Sequence, residues 1–269
     1  MTLEAAAPRP GIDLRVLLGV AFALAVAVLA LVSLGWTPHG AASLTPLAEP
    51  DASHWIGTDA AGRDGTSVVM AATLTTLLLA VFGSLASLFV GIPIGVALAL
   101  RLPPSRHTAH AVGMLPAALL IGMVVSGLAA PANLTLFLAI ALPGAVVAAS
   151  VTRRVLAPLW QRDYVTAARL AGLRPLAAAQ RHVLPRLLPQ LAALALELLA
   201  VAILVEVSLS FAGLGVLPPG ASLGLMLREA QQFMAIRPLL ILVPGAIAAG
   251  TALALMLAAS GLRGARHGT

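Results

Sequence analysis

The sequence predicts an all-α polytopic membrane protein with six transmembrane helices. Three observations carry that prediction. Of 269 residues, 60% are hydrophobic and only 10% are charged, and mean hydropathy is +1.01. A soluble domain has about 25% charged residues, so most of this surface must meet lipid rather than water. The apolar residues fall into separate runs of spanning length, and the arginines gather in alternate breaks between them.

The first run, residues 16–36, follows Arg9 and Arg15. It is long for a signal-peptide core and lacks a small-x-small cleavage site, so it reads as an uncleaved anchor helix behind an N-terminal segment, residues 1–15. Residues 37–65 carry Pro38, Pro46, Pro50, Asp51, Asp59 and Asp64 and read as an ordered loop. The core, residues 66–262, begins with a run at 66–100 that exceeds one perpendicular span of ~20 residues. Gly91 and Pro93 are expected to kink it, because proline removes a backbone bond. Spans at 111–128 and 134–151 are joined by the tight "AAPAN" break. Residues 153–189 form an arginine-rich loop. Spans at 191–216 and 238–260 follow, and residues 263–269 are a tail.

Placing both termini inside puts thirteen arginines on the inner face and leaves Arg63, Arg228 and Arg237 outside. The positive-inside rule therefore selects cytoplasmic N- and C-termini, and six spans satisfy it.

Composition also excludes chemistry. There is no cysteine, hence no disulfide, thiolate nucleophile or Cys-ligated metal. All sixteen basic residues are arginine. Without lysine there is no P-loop lysine for ATP hydrolysis and no Schiff base. A sequence pI near 11.5 does not point to nucleic acid, since the arginines flank apolar runs and set topology. The six histidines lie outside the spans and no aspartate lies inside them, which argues against an intramembrane enzyme. A stand-alone secondary carrier would call for a duplicated half with paired helix breaks, and neither is evident.

The loop contains "RDYVTAARLAGLRPLAAAQRHVLPRLLP", residues 162–189. Asp163 suits an N-cap, Tyr164 to Ala171 a short helix, Gly172 its left-handed stop, and Pro175 the first turn of a second helix ending near Pro185. Its basic face could lie on lipid headgroups. The small residues of "TAARLAG" instead suit close approach by another protein, and the residues alone leave both readings open.

This stretch resembles the cytoplasmic signature loop of ABC importer permeases, E-A-A, three residues, Gly, nine residues, I-x-L-P. Here it reads Thr166-Ala167-Ala168, Gly172 and His182-Val183-Leu184-Pro185. Thr166 replaces the usual glutamate and His182 the isoleucine. "HWIGTDAAGRDGTS", from His54, and "EVSLSFAGLGVLPPGASLG", from Glu206, are similar to two segments of the C-type permease subunit of dipeptide, oligopeptide and nickel importers. The three matches span residues 54 to about 226 in order.

The resemblance implies a type I ABC importer permease in the bacterial cytoplasmic membrane. It implies a heterodimer with a second homologous permease subunit, ATPase subunits or a fused ATPase, and an external substrate-binding protein. ATP and Mg would be bound by the ATPases, and no cofactor or metal by this chain. Asp163, Tyr164, Thr166, Ala167, Ala168, Arg169, Gly172, Pro175, His182, Leu184 and Pro185 would form the coupling helix and its exit. The implied cargo is dipeptides or oligopeptides, with nickel chelate, glutathione and haem as alternatives.

Two polar groups remain. His54, Trp55, Asp59, Arg63 and Asp64 either lock the outer loop through an Asp–Arg pair or contact the binding protein. His54, Asp59 and Asp64 have metal-ligand chemistry, but an arginine stands ready to pair with the carboxylates. Glu197 and Glu206 lie in the fifth span, about 900° apart at 100° per residue, and so on opposite sides. One is expected to face a pathway and the other to bond within the bundle. Glu206, beside Ser208 and Ser210, is the expected structural one. "GLGVLPPGASLG" reads as a chain reversal or a re-entrant segment at an external gate.

Overall fold

The computed structural model of the chain describes residues 14–35, 45–101, 113–127, 132–163, 165 and 184–264. Within these the regular structure is helical, apart from an isolated bridge between Thr58 and Asp64. The helices are α1 (Leu14–Val32), α2 (Gly65–Arg101), α3 (Met114–Gly127), α4 (Ala132–Trp160), α5 (Leu184–Phe211), α6 (Leu223–Ala230) and α7 (Leu239–Gly264). A 3-10 turn, Gln231–Phe233, follows α6. Five of them, α1, α2, α4, α5 and α7, are long and apolar enough to cross a membrane, while α3 has only 14 residues.

Several expected boundaries need correction. Helix α2 runs for 37 residues through Gly91 and Pro93, about 55 Å at 1.5 Å per residue, well beyond a ~30 Å hydrocarbon core. Helix α4 does not stop at 151 but carries Arg153 and Arg154 on its last turns. Pro185 lies in α5, which is described from Leu184, while the expected second helix before it lies outside the described residues. Pro189 follows four residues later, and the carbonyl it leaves unpaired is that of Pro185 itself. Helix α5 ends at Phe211, although the apolar run continues to Val216. The cause is Gly213, at φ +83°, which permits a Schellman stop: Leu214 N–H donates to Leu209 C=O (2.9 Å) and Gly213 N–H to Ser210 C=O (3.1 Å). The short helix α6 was not foreseen. Ser222 caps it by accepting from Leu225 N–H at 3.2 Å.

Helix α5 is central, with Leu194, Leu198, Val201, Ile203, Val205 and Leu209 buried. Helices α2 and α4 flank it as a tightly paired unit. Gly83, Ser87, Gly91 and Gly95 recur every fourth residue along one side of α2. They meet Ile140, Gly144, Ala145 and Ala149 of α4. Ser87 hydroxyl also reaches the carbonyls of Ile140 and Ala141, at 3.3 and 3.4 Å. Small residues matter because lipid tails are as apolar as the helices, so contact rather than hydrophobic exclusion must hold them together. Helix α1 packs on α7 in the same manner, through Gly19, Gly250 and Gly261.

A side chain on Gly95 would place its Cβ 2.5 Å from Ala149 O, so Gly95→Val should force α2 from α4. We expect a loss of about 1–3 kcal/mol in detergent-micelle unfolding. Gly35→Val, with open space around it, should be near neutral in the same assay.

Candidate functional site

At one end of the bundle, residues 45–64 and 212–238 form a cap over α2, α5 and α7. Its small apolar core joins Ile56, Val69, Met226, Ala230 and Leu240. The polar residues named from the sequence mostly build this cap. Asp64 is buried at the start of α2 and accepts from Ser67 N–H and Ser67 hydroxyl, both at 2.8 Å. It is thus the N-cap of that helix. Its other oxygen meets His54 Nδ1 at 3.1 Å. Asp59 accepts from Arg63 Nε at 2.6 Å and from the N–H groups of Ala61 and Arg63 at 2.9 and 2.8 Å. Arg63 reaches on to Glu229 of α6 at 3.3 Å. Arg237 donates to Leu47 C=O at 2.8 Å and to Glu49 at 3.3 Å. These contacts pin the loop to α6 and to the start of α7.

Of the five residues named in this loop, Trp55 is the exposed one, at 68%. His54 and Asp64 are bonded to each other, while Asp59 is committed to Arg63, so the three do not share a ligand centre. Asp51, also in the loop, accepts from Ser53 hydroxyl at 2.7 Å and from His54 N–H at 2.6 Å. These bonds, Ser53's hydroxyl foremost, hold its carboxyl below the ordinary carboxylate value. That turn is therefore kept above the ordinary value and lost as pH falls through the lowered one. Beside Arg63 lies a cleft of about 360 Å³, floored by Val68, Met226, Phe233 and Leu240 and rimmed by Asp59, Arg63 and Glu229.

Beneath the cap lies Glu206, fully buried. Its oxygens accept from Ser210 hydroxyl at 2.7 Å and Thr76 hydroxyl at 2.8 Å. The expected structural role of Glu206 thus has a geometry, but Ser208 is not part of it. Ser208 lies about 200° round the helix from Glu206 and is exposed. Glu197, the expected pathway residue, instead forms an ion pair with Arg263 in the last turn of α7.

At the opposite end, Asp163 is exposed and Val165 is buried among Ala99, Leu156 and Ala157. Val165 thus ties the chain leaving α4 to the ends of α2 and α4. Leu184 and Pro185 open α5. Tyr164, Thr166, Ala167, Ala168, Arg169, Gly172, Pro175 and His182 lie outside the described residues.

Thr76, Ser222 and Glu229 were missed. A threonine inside an apolar run carries no distinguishing signal. Ser222 did carry one, as a capping residue before an apolar helical pattern.

Comparison with known proteins places this arrangement. Residues 91–264 match the family described as binding-protein-dependent transport system inner membrane component. The chain belongs to this family. The permease is 30% identical over 226 residues to the nickel transport system permease protein NikC of Escherichia coli, covering 82% of each chain. It is 30% identical over 246 residues to a putative peptide transport system permease protein of Brucella suis, covering 89% of this chain and 83% of the relative. It is 29% identical over 228 residues to the glutathione transport system permease protein GsiD of Pectobacterium atrosepticum, covering 80% and 73%. It is therefore a multi-pass inner-membrane permease subunit of an ABC importer, a transport component that works with ATPase and substrate-binding partners.

Asp64→Ala should cost about 1 kcal/mol of stability, through loss of the α2 cap. Asp64→Asn, whose amide oxygen can still cap, should lose less in the same micelle unfolding titration.

Proposed function

We propose that the permease forms half of a transmembrane pathway for dipeptides and oligopeptides, paired with a second, homologous permease subunit. Its cap faces outward and both termini face the cytoplasm. ATP and Mg are bound by the partner ATPases, and this chain holds neither a cofactor nor a catalytic centre. The arginine asymmetry, thirteen against three, supports the orientation.

One observation carries the coupling mechanism. The coupling loop expected from the sequence starts beside buried Val165 and is followed by α5 at Leu184. Movement of an ATPase groove around that loop would act on two helices at once. The α2–α4 pair would be driven through Val165 and the α5–α7 pair through the foot of α5. Alternating access then requires that the ATP-closed and ATP-open partners hold the loop differently. Outside, exposed Trp55 and the cleft beside Arg63 offer the binding protein an aromatic anchor and a charged rim. The peptide cargo is supported by the relative named for peptide transport and by glutathione being itself a small peptide.

Reconstitution tests this. In proteoliposomes the assembled importer should take up dipeptides only with its ATPases, ATP and binding protein. Uptake by the permease alone would make it a secondary carrier. Uptake of nickel chelate, glutathione or haem in place of dipeptides would reassign the cargo. Because the chain has no cysteine, single-cysteine variants report topology directly. Ser53→Cys should react with an impermeant maleimide in intact cells, and Arg162→Cys only after permeabilisation.

A further inference from the structure

The hydroxyls around Glu206 share a feature that a simple contact would not require. Each already accepts a backbone N–H. Val216 N–H donates to Ser210 at 3.2 Å, Leu223 N–H to Thr76 at 3.1 Å, and Leu225 N–H to Ser222 at 3.2 Å. A hydroxyl has one proton to give, and Ser210 and Thr76 give theirs to the carboxyl. Two relays therefore run from backbone N–H through hydroxyl to Glu206, and Ser222 caps α6 beside them. The amides they satisfy belong to the returning segment after α5 and to the first turn of α6. Leu223 and Leu225 lie among the first four helical residues, whose N–H groups have no partner inside the helix.

The relays start on two elements, Thr76 on α2 and Ser210 on α5, and Ser222 stands beside them as the N-cap of α6. Backbone sits tightly here. A Cβ at Gly224 would lie 2.7 Å from Ser210 Cβ, so α6 cannot shift toward α5 to find other partners. The carboxyl is the common acceptor on which the cap's attachment converges.

We propose that Glu206 is a positioning residue for the outer gate. Through the two relays, which end on Val216 and Leu223, it fixes residues 212–225 over α2 and α5, so that the cap moves with those helices as one body when the permease changes state. The inference rests on the outward placement of the cap proposed above. A glutamine at this position keeps the shape but replaces one acceptor oxygen with a donor, so at least one hydroxyl would face a proton instead of a lone pair.

Two readouts on the assembled importer test this. The first is amide hydrogen exchange over residues 212–227, which needs no transport and no cargo. Glu206→Gln should speed exchange there about tenfold, the ratio expected when one buried hydrogen bond loses its partner, while α1 and α7 stay protected. The second is the ATP hydrolysed per dipeptide imported, which should rise about tenfold in Glu206→Gln as the gate loses its fixed relation to α2. Thr76→Val should reproduce both changes, and Thr76→Ser, which keeps the hydroxyl, should restore both. The Thr76 pair carries the test even if Glu206→Gln fails to assemble. Wild-type exchange in Glu206→Gln or Thr76→Val would overturn the proposal. So would uptake that falls only in proportion to assembled complex, with an unaltered coupling ratio. Failure of the wild type to import dipeptides would strike the cargo assignment, and the exchange result would still decide the role of Glu206.

Discussion

A bilayer offers no water to a stranded polar group, and the rest of the bundle is arranged around that constraint. Helices settle the backbone. Several hydroxyls in the spans settle themselves by donating back to their own helix, as Thr73 does to Val69 C=O, Ser87 to Gly83 C=O and Thr251 to Ile247 C=O. A carboxyl cannot do this, because it needs donors and the helix's own N–H groups are already spent. Glu206 therefore draws hydroxyls from outside its turn, and those hydroxyls bring α2 and the N-terminus of α6 with them. The place where the chain folds back over the bundle is set by a polar requirement inside it.

Below the cap the bonding changes character. The α2–α4 seam is a ladder of small residues, and the α1–α7 contact is another, with α5 between them. Contacts of this kind hold only at close range and offer many equivalent neighbours along the helix. Polar contacts fix one arrangement. The permease thus has a specified capped end and two tightly paired helical units below it, α2–α4 and α5–α7. On the coupling mechanism proposed above, the inner loop is joined to one unit through Val165 and to the other through Leu184. Force at that loop would then divide between units that each resist internal shear.

How much of this could be read in advance follows from the kind of signal each feature leaves. The spans were legible because hydrocarbon thickness demands long apolar runs. Their ends were less so. Residues 212–216 carry no polar side chain, yet the chain leaves the helix there because Gly213 adopts a left-handed conformation and closes a Schellman stop. Composition does not see a backbone angle. Arg153 and Arg154 suggested a loop, although long arginine side chains can extend from a helix end to the interface without breaking it. The Asp59–Arg63 lock was legible from two opposite charges four residues apart in a turn. Its extension to Glu229 was not, because it joins residues 166 positions apart. The convergence on Glu206 was half legible: Ser210, one helical turn on, could be named, whereas Thr76 lies 130 residues away.

The two carboxylates of α5 meet the same problem with opposite solutions. Helical geometry puts them on opposite sides, and the neighbours on each side decide the rest. Glu197 lies against the last turn of α7, where Arg263 is 43% exposed. An arginine there can neutralise the carboxylate while its head keeps water, and the negative end of α7 also favours it. Glu206 lies under the cap with no exposure at all. An arginine brought to that position would itself have to be stripped of water, and the attraction gained need not repay the cost. Neutral hydroxyls avoid the second desolvation, and they carry something an arginine cannot. Each can accept a backbone N–H while donating to the carboxyl, so the group that satisfies the carboxyl also holds the chain above it.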